Sequence, residues 1–214
     1  DRVDYRSQGG PLLSYLRCEN EVLSGQSLYQ GGELGSDNRI YFVPGHAARV
    51  MVCDPEIDKV EQIGPSFVGK YKWLRAVGVK ENEILYGLPC NSDRILRIHV
   101  PTQQISSIPI PYKEFYTDPL IAEQQMKMEW KYHGGGIAAD GCLYAIPHNA
   151  WHVLQIDPVT EKVSFVGPRL EGRFKWHGGA VGMQDGAIYC VPHNSAYVLR
   201  IEGSDKVTLH GDFG

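Results

Sequence analysis

Three observations predict that this chain is an all-β protein with the architecture of a β-propeller. First, four stretches share a pattern in which Tyr is followed three residues later by Pro: RIYFVPGHA, ILYGLPCNS, CLYAIPHNA and AIYCVPHNS. Second, the Tyr residues of this pattern recur with a constant period, apart from one insertion. Third, each copy contains four short segments of β-branched and aromatic residues bounded by Gly, Asp, Asn or Pro. Four antiparallel strands in ~40 to 50 residues, repeated along a chain, are typical of propeller blades.

The unit boundaries follow from the register of the repeat, whose Tyr residues are Tyr41, Tyr86, Tyr144 and Tyr189. We expect propeller repeats over residues 28–214, divided into units of about 28–71, 72–128, 129–174 and 175–214. Segment 1–27 fits the pattern poorly, and we expect it to complete a blade with the other end of the chain or to pack on the outside. The four blades visible in this chain form either a complete ring or part of a larger one.

Each unit is expected to contain four strands in a meander. In the fourth copy the segments read HGGAVG, GAIYCVP, AYVLRI and KVTLHG. Between the first and second segments, Asp185 and Gly186 form a dipeptide typical of tight turns. After the third segment, Asp54 and Asp157 are each followed by Pro, which also favours a turn. The pattern therefore predicts antiparallel pairing of consecutive strands within each unit.

The insertion lies at about 117–129, between the second and third units, and reads TDPLIAEQQMKME. It starts with Asp-Pro and continues with good helix formers, so we expect one short helix there and no other helix in the chain. Because the insertion precedes the first strand of unit three, we expect it on the same face as the histidines described below, as a lid or a docking knob.

Composition limits the classes of function. The net charge is −4, which provides no basic field for phosphates and disfavours a nucleic-acid partner. The five cysteines include no C-x-x-C pair, so they indicate neither a zinc knuckle nor a disulfide-rich secreted domain, and an intracellular or organelle interior is favoured. No apolar run reaches the ~18 residues of a membrane span. The chain starts at Asp1 rather than Met, so a removed leader or an earlier domain leaves the compartment open.

Two histidine pairs recur at one end of units three and four. The motifs HGG and PHN place His133 and His148 in unit three, and His177 and His193 in unit four. Counting back from the Asp-Gly turns, we expect the two histidines of each pair directly opposite each other, with Cβ atoms ~5 Å apart. The loops before the first strand and after the second open on the same end of a propeller, so all four histidines are expected near the channel mouth.

The histidines allow two interpretations, and the sequence leaves both open. In the structural one, the imidazoles pack between neighbouring blades and bond loop carbonyls, because recurrent positions in a repeat usually serve its folding. In the functional one, the pairs bind a divalent metal or act in acid–base catalysis, since neutral imidazole is a common ligand. The metal candidates are His133, His148, His177 and His193.

Asn149, Asn194 and Trp176 are further candidate binding residues at the same end. The asparagines follow the Pro of the second strand, where they either hold a hard cation such as calcium or cap the loop by bonding their own backbone. Trp176 and the matching Trp73 precede first strands and either stack a sugar or wedge between blades. No G-x-S-x-G, H-E-x-x-H or phosphate-loop motif is present.

The patterns D-G-x-I/L-Y-x-I/V-P and V-L-x-I-D-P-x-T-x-K-V resemble the blades of Kelch, NHL and gluconolactonase-like propellers, over about residues 28–214. The version with K-W-H-G-G and P-H-N is similar to tandem repeats in proteins of protists and algae. The resemblance to gluconolactonases implies a divalent metal held by a carboxylate and asparagines, but an axial Glu is not evident here. The resemblance to streptogramin lyases implies a catalytic histidine and a metal. Kelch and NHL modules imply a macromolecular partner.

We expect the first of the following three functions, and the other two are alternatives to it. The first is a non-catalytic binding or scaffold propeller, a subunit of a larger assembly with a protein partner, because no complete catalytic constellation is present. The second is a metal-assisted lyase or lactonase with a histidine-rich site at the channel mouth. The third is a carbohydrate-binding propeller that uses the tryptophans.

Overall fold

The structure, a computed structural model, describes residues 3–5, 13–15 and 23–211. Their regular secondary structure is almost entirely β, as predicted, and four four-stranded antiparallel sheets follow one another along the chain. The first two sheets contain β3 (Tyr29–Leu34), β4 (Ile40–Pro44), β5 (Val50–Asp54) and β6 (Lys59–Ile63), then β7 (Trp73–Val79), β8 (Ile84–Pro89), β9 (Arg94–His99) and β10 (Gln104–Pro109). The other two contain β11 (Tyr132–Ile137), β12 (Leu143–Pro147), β13 (Val153–Ile156) and β14 (Val163–Val166), then β15 (Trp176–Val181), β16 (Ile188–Pro192), β17 (Val198–Gly203) and β18 (Lys206–His210).

Each four-stranded sheet is a meander whose first strand lies next to the first strand of the following sheet. β3 contacts β7, β7 contacts β11, and β11 contacts β15. The first strands therefore line a common axis and the sheets radiate from it, which is the arrangement of propeller blades. We number the sheets blades 1 to 4. Within the described ranges β15 and β3 make no comparable contact, so these four blades form an arc.

Consecutive blades are joined by apolar side chains, chiefly from their second and third strands. In each joint the earlier blade contributes the recurring Tyr and a branched residue two positions later, and all of these side chains are at most 2% exposed. Burial of each such side chain stabilises the fold by ~1.5–3 kcal/mol. The residues at these positions are Tyr41 and Val43 in blade 1, Tyr86 and Leu88 in blade 2, and Tyr144 and Ile146 in blade 3.

The hydroxyl of the recurring Tyr explains why an acidic residue recurs in the turn before it. Tyr41 donates a hydrogen bond to the Asp37 carboxylate at 2.8 Å, and Tyr144 donates to Asp140 at 2.6 Å. A Tyr hydroxyl that is buried without a partner is costly, so the turn residue satisfies the side chain that closes the joint.

The first strands of blades 3 and 4 approach each other closely at their glycine pairs. A Cβ atom on Gly134 would lie 3.0 Å from the Gly178 Cα, and both residues have a φ of +79°. A Cβ atom on Gly135 or Gly179 would meet a backbone oxygen of the neighbouring second strand at 2.5 or 2.6 Å. Glycine is therefore needed for backbone conformation and close packing at this position.

A buried lysine joins each of blades 2, 3 and 4 to the structure before it. The three side chains are at most 3% exposed, and burial lowers the pKa of each to about 8. An ammonium group has three donors, and each amine donates to three backbone carbonyls at 2.8–3.3 Å. The contacts are Lys72 with Gly45, Ala47 and Gly69; Lys131 with Asn91, Met126 and Met128; and Lys175 with His148, Ala150 and Gly172.

The predicted helix is present as α2 (Pro119–Lys127), and a four-residue helix, α1 (Tyr112–Phe115), precedes it. Asp118 caps α2 by accepting hydrogen bonds from the backbone N–H groups of Leu120 and Ile121. The prediction of a single helix was wrong because α1 is too short to show helical periodicity. Neither of the two described helices has the length and apolar character needed to cross a membrane.

The insertion lies at the same end of the blades as the histidines, as we expected, but toward their outer edge. The Trp151 N–H donates to the Gln125 side chain at 3.4 Å, and the Asn149 side chain donates to the Glu129 carbonyl at 2.9 Å.

The aromatic residues of the insertion pack on the outermost strand of blade 3, where the rings of Tyr112 and Phe115 lie 5.3 and 4.9 Å from that of Phe165. The Tyr116 hydroxyl is 3.0 Å from His152 Nδ1. The described part of the insertion therefore covers the outer edge of the joint between blades 2 and 3, and its role as a lid or a docking knob stays a prediction.

The expected role of the N-terminal segment falls largely outside the described residues. Within it, β1 (Val3–Tyr5) and β2 (Leu13–Tyr15) pair with each other in an antiparallel register that places Val3 opposite Tyr15. They form a separate two-stranded sheet rather than a strand of one of the four blades.

We expect Lys175→Met to lower the free energy of unfolding by ~2–4 kcal/mol, because the amine's three hydrogen bonds to backbone carbonyls are lost and the Ala150 carbonyl stays buried without this donor. Lys70 is exposed and provides the matched control, for which Lys70→Met is expected to change stability by less than ~0.5 kcal/mol. Urea denaturation of the two variants measures the difference. Equal effects would show that the lysine does not hold the joint.

Candidate functional site

A β-bulge precedes the glycine pairs and determines where the histidines of the first strands lie. In blade 4, Trp176 pairs with Pro192 but Gly179 pairs with Cys190, so the first strand contains one residue more than the second between these points. The same irregularity occurs at the start of every first strand. A bulge changes the direction of the side chains around it, here that of His177.

The predicted direct pairing of the histidines was wrong because the sequence does not show the bulge. The backbone N–H of His193 donates to Lys175 at 2.8 Å, two residues before His177, and the N–H of His148 donates to Lys131 in the same way. The rings of each predicted pair nevertheless lie close, with centroids 5.7 Å apart in both blades. All four histidines lie at the same end of the blades, as predicted.

Three of the imidazoles converge at the joint between blades 3 and 4. His148, His177 and His193 each offer one ring nitrogen, and these nitrogens lie within 4.8 Å of one another. The ring centroids are 5.6 Å apart for His148 and His177 and 5.9 Å apart for His148 and His193. His148 is buried, whereas His177 and His193 are exposed. We call these three residues the histidine cluster.

His148 is held in one orientation. Its Nδ1 lies 2.7 Å from the backbone carbonyl of Trp176 in blade 4. A carbonyl only accepts hydrogen bonds, so Nδ1 carries the proton and Nε2 keeps a free lone pair. Burial lowers the pKa of His148, and the neighbouring His177 and His193 lower it further. A backbone bond on one ring nitrogen that leaves the other free is the usual support of a metal-binding histidine.

His133 lies beside the cluster rather than in it. Its ring stacks on that of His177 with centroids 3.6 Å apart, and its Nδ1 is buried without a hydrogen-bond partner in the described structure. Burial, followed by the proximity of His177, His148 and Arg75, lowers the pKa of His133 to about 4. The ring is therefore neutral at physiological pH and leaves an unsatisfied nitrogen next to the cluster.

The predicted asparagine ligands are engaged in loop contacts. The Asn149 side chain accepts from the Phe174 N–H at 2.7 Å and donates to the Glu129 carbonyl at 2.9 Å. Asn91 accepts from the Trp130 N–H at 2.8 Å. These side chains cap the loop that leads into the next blade, whereas we expected each to bond its own backbone. With their oxygens occupied and no carboxylate in the histidine cluster, the donor set does not fit calcium or magnesium.

Asn194 and Trp176 are placed differently from each other. Asn194 is exposed, and its Nδ2 is 3.5 Å from the Arg173 carbonyl. Trp176 is 2% exposed, and its indole N–H donates to the Tyr197 carbonyl. Trp73 is equally buried, so neither indole offers a face to a sugar, and of the two alternatives the burial fits the wedge between blades.

An aromatic rim at the same end was missed by the sequence analysis. Tyr71, Trp130 and Phe174 precede the three joint lysines and all have left-handed backbones, with φ between 49° and 55°. The Tyr71 ring lies 4.2 Å from that of His46 and 4.7 Å from that of Trp130, measured between centroids. The recurrent tripeptides YKW, WKY and FKW are the pattern that could have revealed both the rim and the lysines.

The cysteines near this end offer no nucleophile. Cys90 and Cys190 are at most 1% exposed. Burial raises the pKa of Cys90 to about 12 and raises that of Cys190 as well, so both stay as thiols at neutral pH.

Comparisons with known proteins identify the fold. No protein-family model and no curated protein sequence matches this chain. Among solved structures, virginiamycin B lyase from Staphylococcus aureus is similar, with a TM-score of 0.66 and 13% identity over 92% of this chain and 58% of that one. This chain is a β-propeller. Its structural neighbours are propellers of the streptogramin B lyase type, and they do not confirm a Kelch-specific repeat.

Two further structures illustrate the range of activities on this fold. A catalytically inactive histidine-to-alanine variant of the Staphylococcus aureus lyase, with quinupristin, has a TM-score of 0.63 and 12% identity over 88% of this chain and 58% of that one. An auxiliary nutrient binding protein from Bacteroides thetaiotaomicron has a TM-score of 0.55 and 14% identity over 87% and 43%. At these identities the likeness shows the fold alone. The chain spans less than two thirds of the length of these structures.

We expect the free energy of unfolding of the metal-free protein to fall as the pH is lowered from about 6.5 to about 4. The folded pKa of His133 is about 4 against an ordinary value of 6.5. In this window the unfolded chain binds a proton that the folded chain excludes, so stability is lost as the pH falls. His148 and His152, whose pKa values burial also lowers, act in the same direction.

Urea denaturation at pH 7, 5.5 and 4.5 measures this loss, and His133→Asn is expected to make it shallower. His210→Asn is the matched control, because His210 is exposed on β18 and contacts Thr208. The same pH dependence in both variants would exclude His133 as a source of the loss.

Proposed function

We propose that the histidine cluster binds a divalent transition-metal ion and that the protein acts as a metal-assisted lyase or lactonase. The observation that carries this proposal is the convergence of ring nitrogens from His148, His177 and His193 within 4.8 Å. The backbone bond that holds His148 supports it, because it leaves one nitrogen free for a ligand bond. The likeness to lyase structures supports the choice of reaction class.

The geometry of the cluster suits zinc or a similar ion. Zinc–nitrogen bonds are ~2.0–2.1 Å long, which places the nitrogens of a tetrahedral site ~3.4 Å apart. The cluster therefore has to contract by roughly 1 Å. Two of its three rings, those of His177 and His193, are exposed and can rotate to do so. Three protein ligands leave a fourth position for water or substrate, which is typical of catalytic rather than structural zinc sites.

The chain's own residues define what such a site would accept. A bound divalent ion would supply Lewis-acid chemistry, polarising a carbonyl or lowering the pKa of a water. The cluster contains no carboxylate, so the site would keep a positive charge and favour a carbonyl or anionic ligand. His133 stays neutral because burial lowers its pKa to about 4, so it would add no positive charge next to the ligand.

Titration with Co²⁺ tests the metal site, because tetrahedral cobalt gives visible absorption bands that report coordination. We expect one equivalent to bind to the wild type, and the double variant His177→Ala and His193→Ala to lose this binding while retaining its melting temperature, since both rings are exposed. His210→Ala is the control and should bind cobalt like the wild type. Equal cobalt spectra from the double variant and the wild type would refute the site.

The scaffold function is a second candidate, supported by exposed apolar residues on the insertion. Leu120 on α2 is 76% exposed and Phe115 on α1 is 41% exposed. A single exposed apolar side chain is common, but two on neighbouring helices suit a protein partner. We expect Leu120→Lys to release a partner that co-purifies with the wild type, with no loss of thermal stability. Retention of that partner by the variant would mean that the helices are not its docking surface.

A further inference from the structure

The three described joints between blades are built from the same parts. The earlier blade presents the recurring Tyr and a branched residue two positions later, and both are buried by the next blade. The earlier blade also presents the backbone carbonyl directly after its second strand, and this carbonyl accepts from the backbone N–H of the next blade's lysine residue. These bonds join Lys72 to Gly45 at 3.2 Å, Lys131 to Cys90 at 2.9 Å and Lys175 to His148 at 2.9 Å.

Blade 4 presents these same parts without a cover. Tyr189 is 39% exposed and Val191 is 54% exposed, whereas their counterparts in blades 1 to 3 are at most 2% exposed. The His193 carbonyl matches the carbonyl that meets the lysine residue in each joint, and no described residue donates to it. Asn194 matches Asn149, whose side-chain oxygen caps the loop of the next blade.

We propose that this surface, formed by Tyr189, Val191 and the loop 193–195, is the docking surface for a further β-blade of the same repeat that carries a lysine directly before its first strand. The exposed side chains of Tyr189 and Val191 fit a blade with alternating apolar residues on its second and third strands. The blades that cover blades 1 to 3 have such residues. The carbonyls of His193 and Ser195 correspond to the two carbonyls of blade 3 that accept hydrogen bonds from the Lys175 amine. They therefore fit a blade that carries a lysine at this position.

A second copy of this chain is a poorer occupant. The other end of the arc is the face of blade 1, which none of the four described blades covers and which has Leu28 at the position of the joint lysines. Docked on blade 4 of another copy, Leu28 would bring no amine to the carbonyls of the loop 193–195. The backbone N–H of Leu28 could still meet the His193 carbonyl, as the lysine N–H groups do in the three joints, but the Ser195 carbonyl would be buried without a donor at a cost of ~1–3 kcal/mol. The occupant is therefore a lysine-bearing blade and not blade 1 of a second copy.

The test extends the full chain with a second copy of its own residues 171–214, which supplies a lysine-bearing blade. Amide hydrogen exchange of β16 and β17 is the measurement. We expect exchange in these strands to slow by ~10-fold or more relative to the unextended chain, because the added blade covers them. The matched control replaces the lysine of the added copy that corresponds to Lys175 with Met, and it should show a smaller protection.

Three results would overturn the proposal. The first is that hydrogen exchange in β16 and β17 is the same with and without the added copy. Limited proteolysis would then digest the added copy and leave the parent chain intact. The second is equal protection with and without the added lysine. The third comes from light scattering of the unextended chain: a stable dimer that Val191→Lys dissociates would identify a second copy as the occupant. We expect light scattering to show a monomer for both the unextended wild type and its Val191→Lys variant. This measurement does not depend on whether the extended chain folds.

Discussion

The joint between consecutive blades is the interaction on which the rest of this structure depends. A four-stranded blade has two apolar faces and cannot bury them alone, so each blade is stable only against its neighbours. Apolar packing provides most of the buried surface of the joint, but it does not determine the position of one blade along the other. The buried lysine does, because its three donors meet carbonyls at particular positions of the structure before it. Desolvation of the amine is the cost of this specificity, and the lowered pKa values reflect it.

The histidine cluster is a consequence of the same joint. Gly134 and Gly178 allow the first strands of blades 3 and 4 to touch, and the bulge turns the adjacent histidines toward each other. The Trp176 carbonyl at the start of blade 4 then holds His148 of blade 3. The position of His177 is occupied by Gln30 in blade 1 and by Leu74 in blade 2, so the described structure has one such cluster.

The fold was predictable from sequence because its determinants are local and repeated. The Tyr and Pro spacing, the Asp-Gly turns and the short apolar runs each specify a strand or a turn without reference to the rest of the chain. The end of the propeller that carries the histidines followed from this topology. The helix α2 was also predictable, because Asp118 and Pro119 mark its start.

The details that make the site were not predictable from the same patterns. A bulge adds one residue to a strand without a distinctive sequence, so direct pairing of His177 with His193 was expected and not found. The joint lysines lie next to strands, where a charged residue is usually exposed, and only packing shows that Lys175 is buried. The same holds for Trp176, whose sequence position is equally compatible with an exposed rim and with a buried wedge.

The central claim is that the histidine cluster holds a transition metal, and X-ray absorption at the zinc edge of natively purified protein tests it most directly. The account predicts about three imidazole nitrogens at ~2.0–2.1 Å, with one further light atom completing the site. A protein purified without stoichiometric metal that also takes up none on addition of zinc would contradict the account. In that case the histidines would serve the packing between blades 3 and 4.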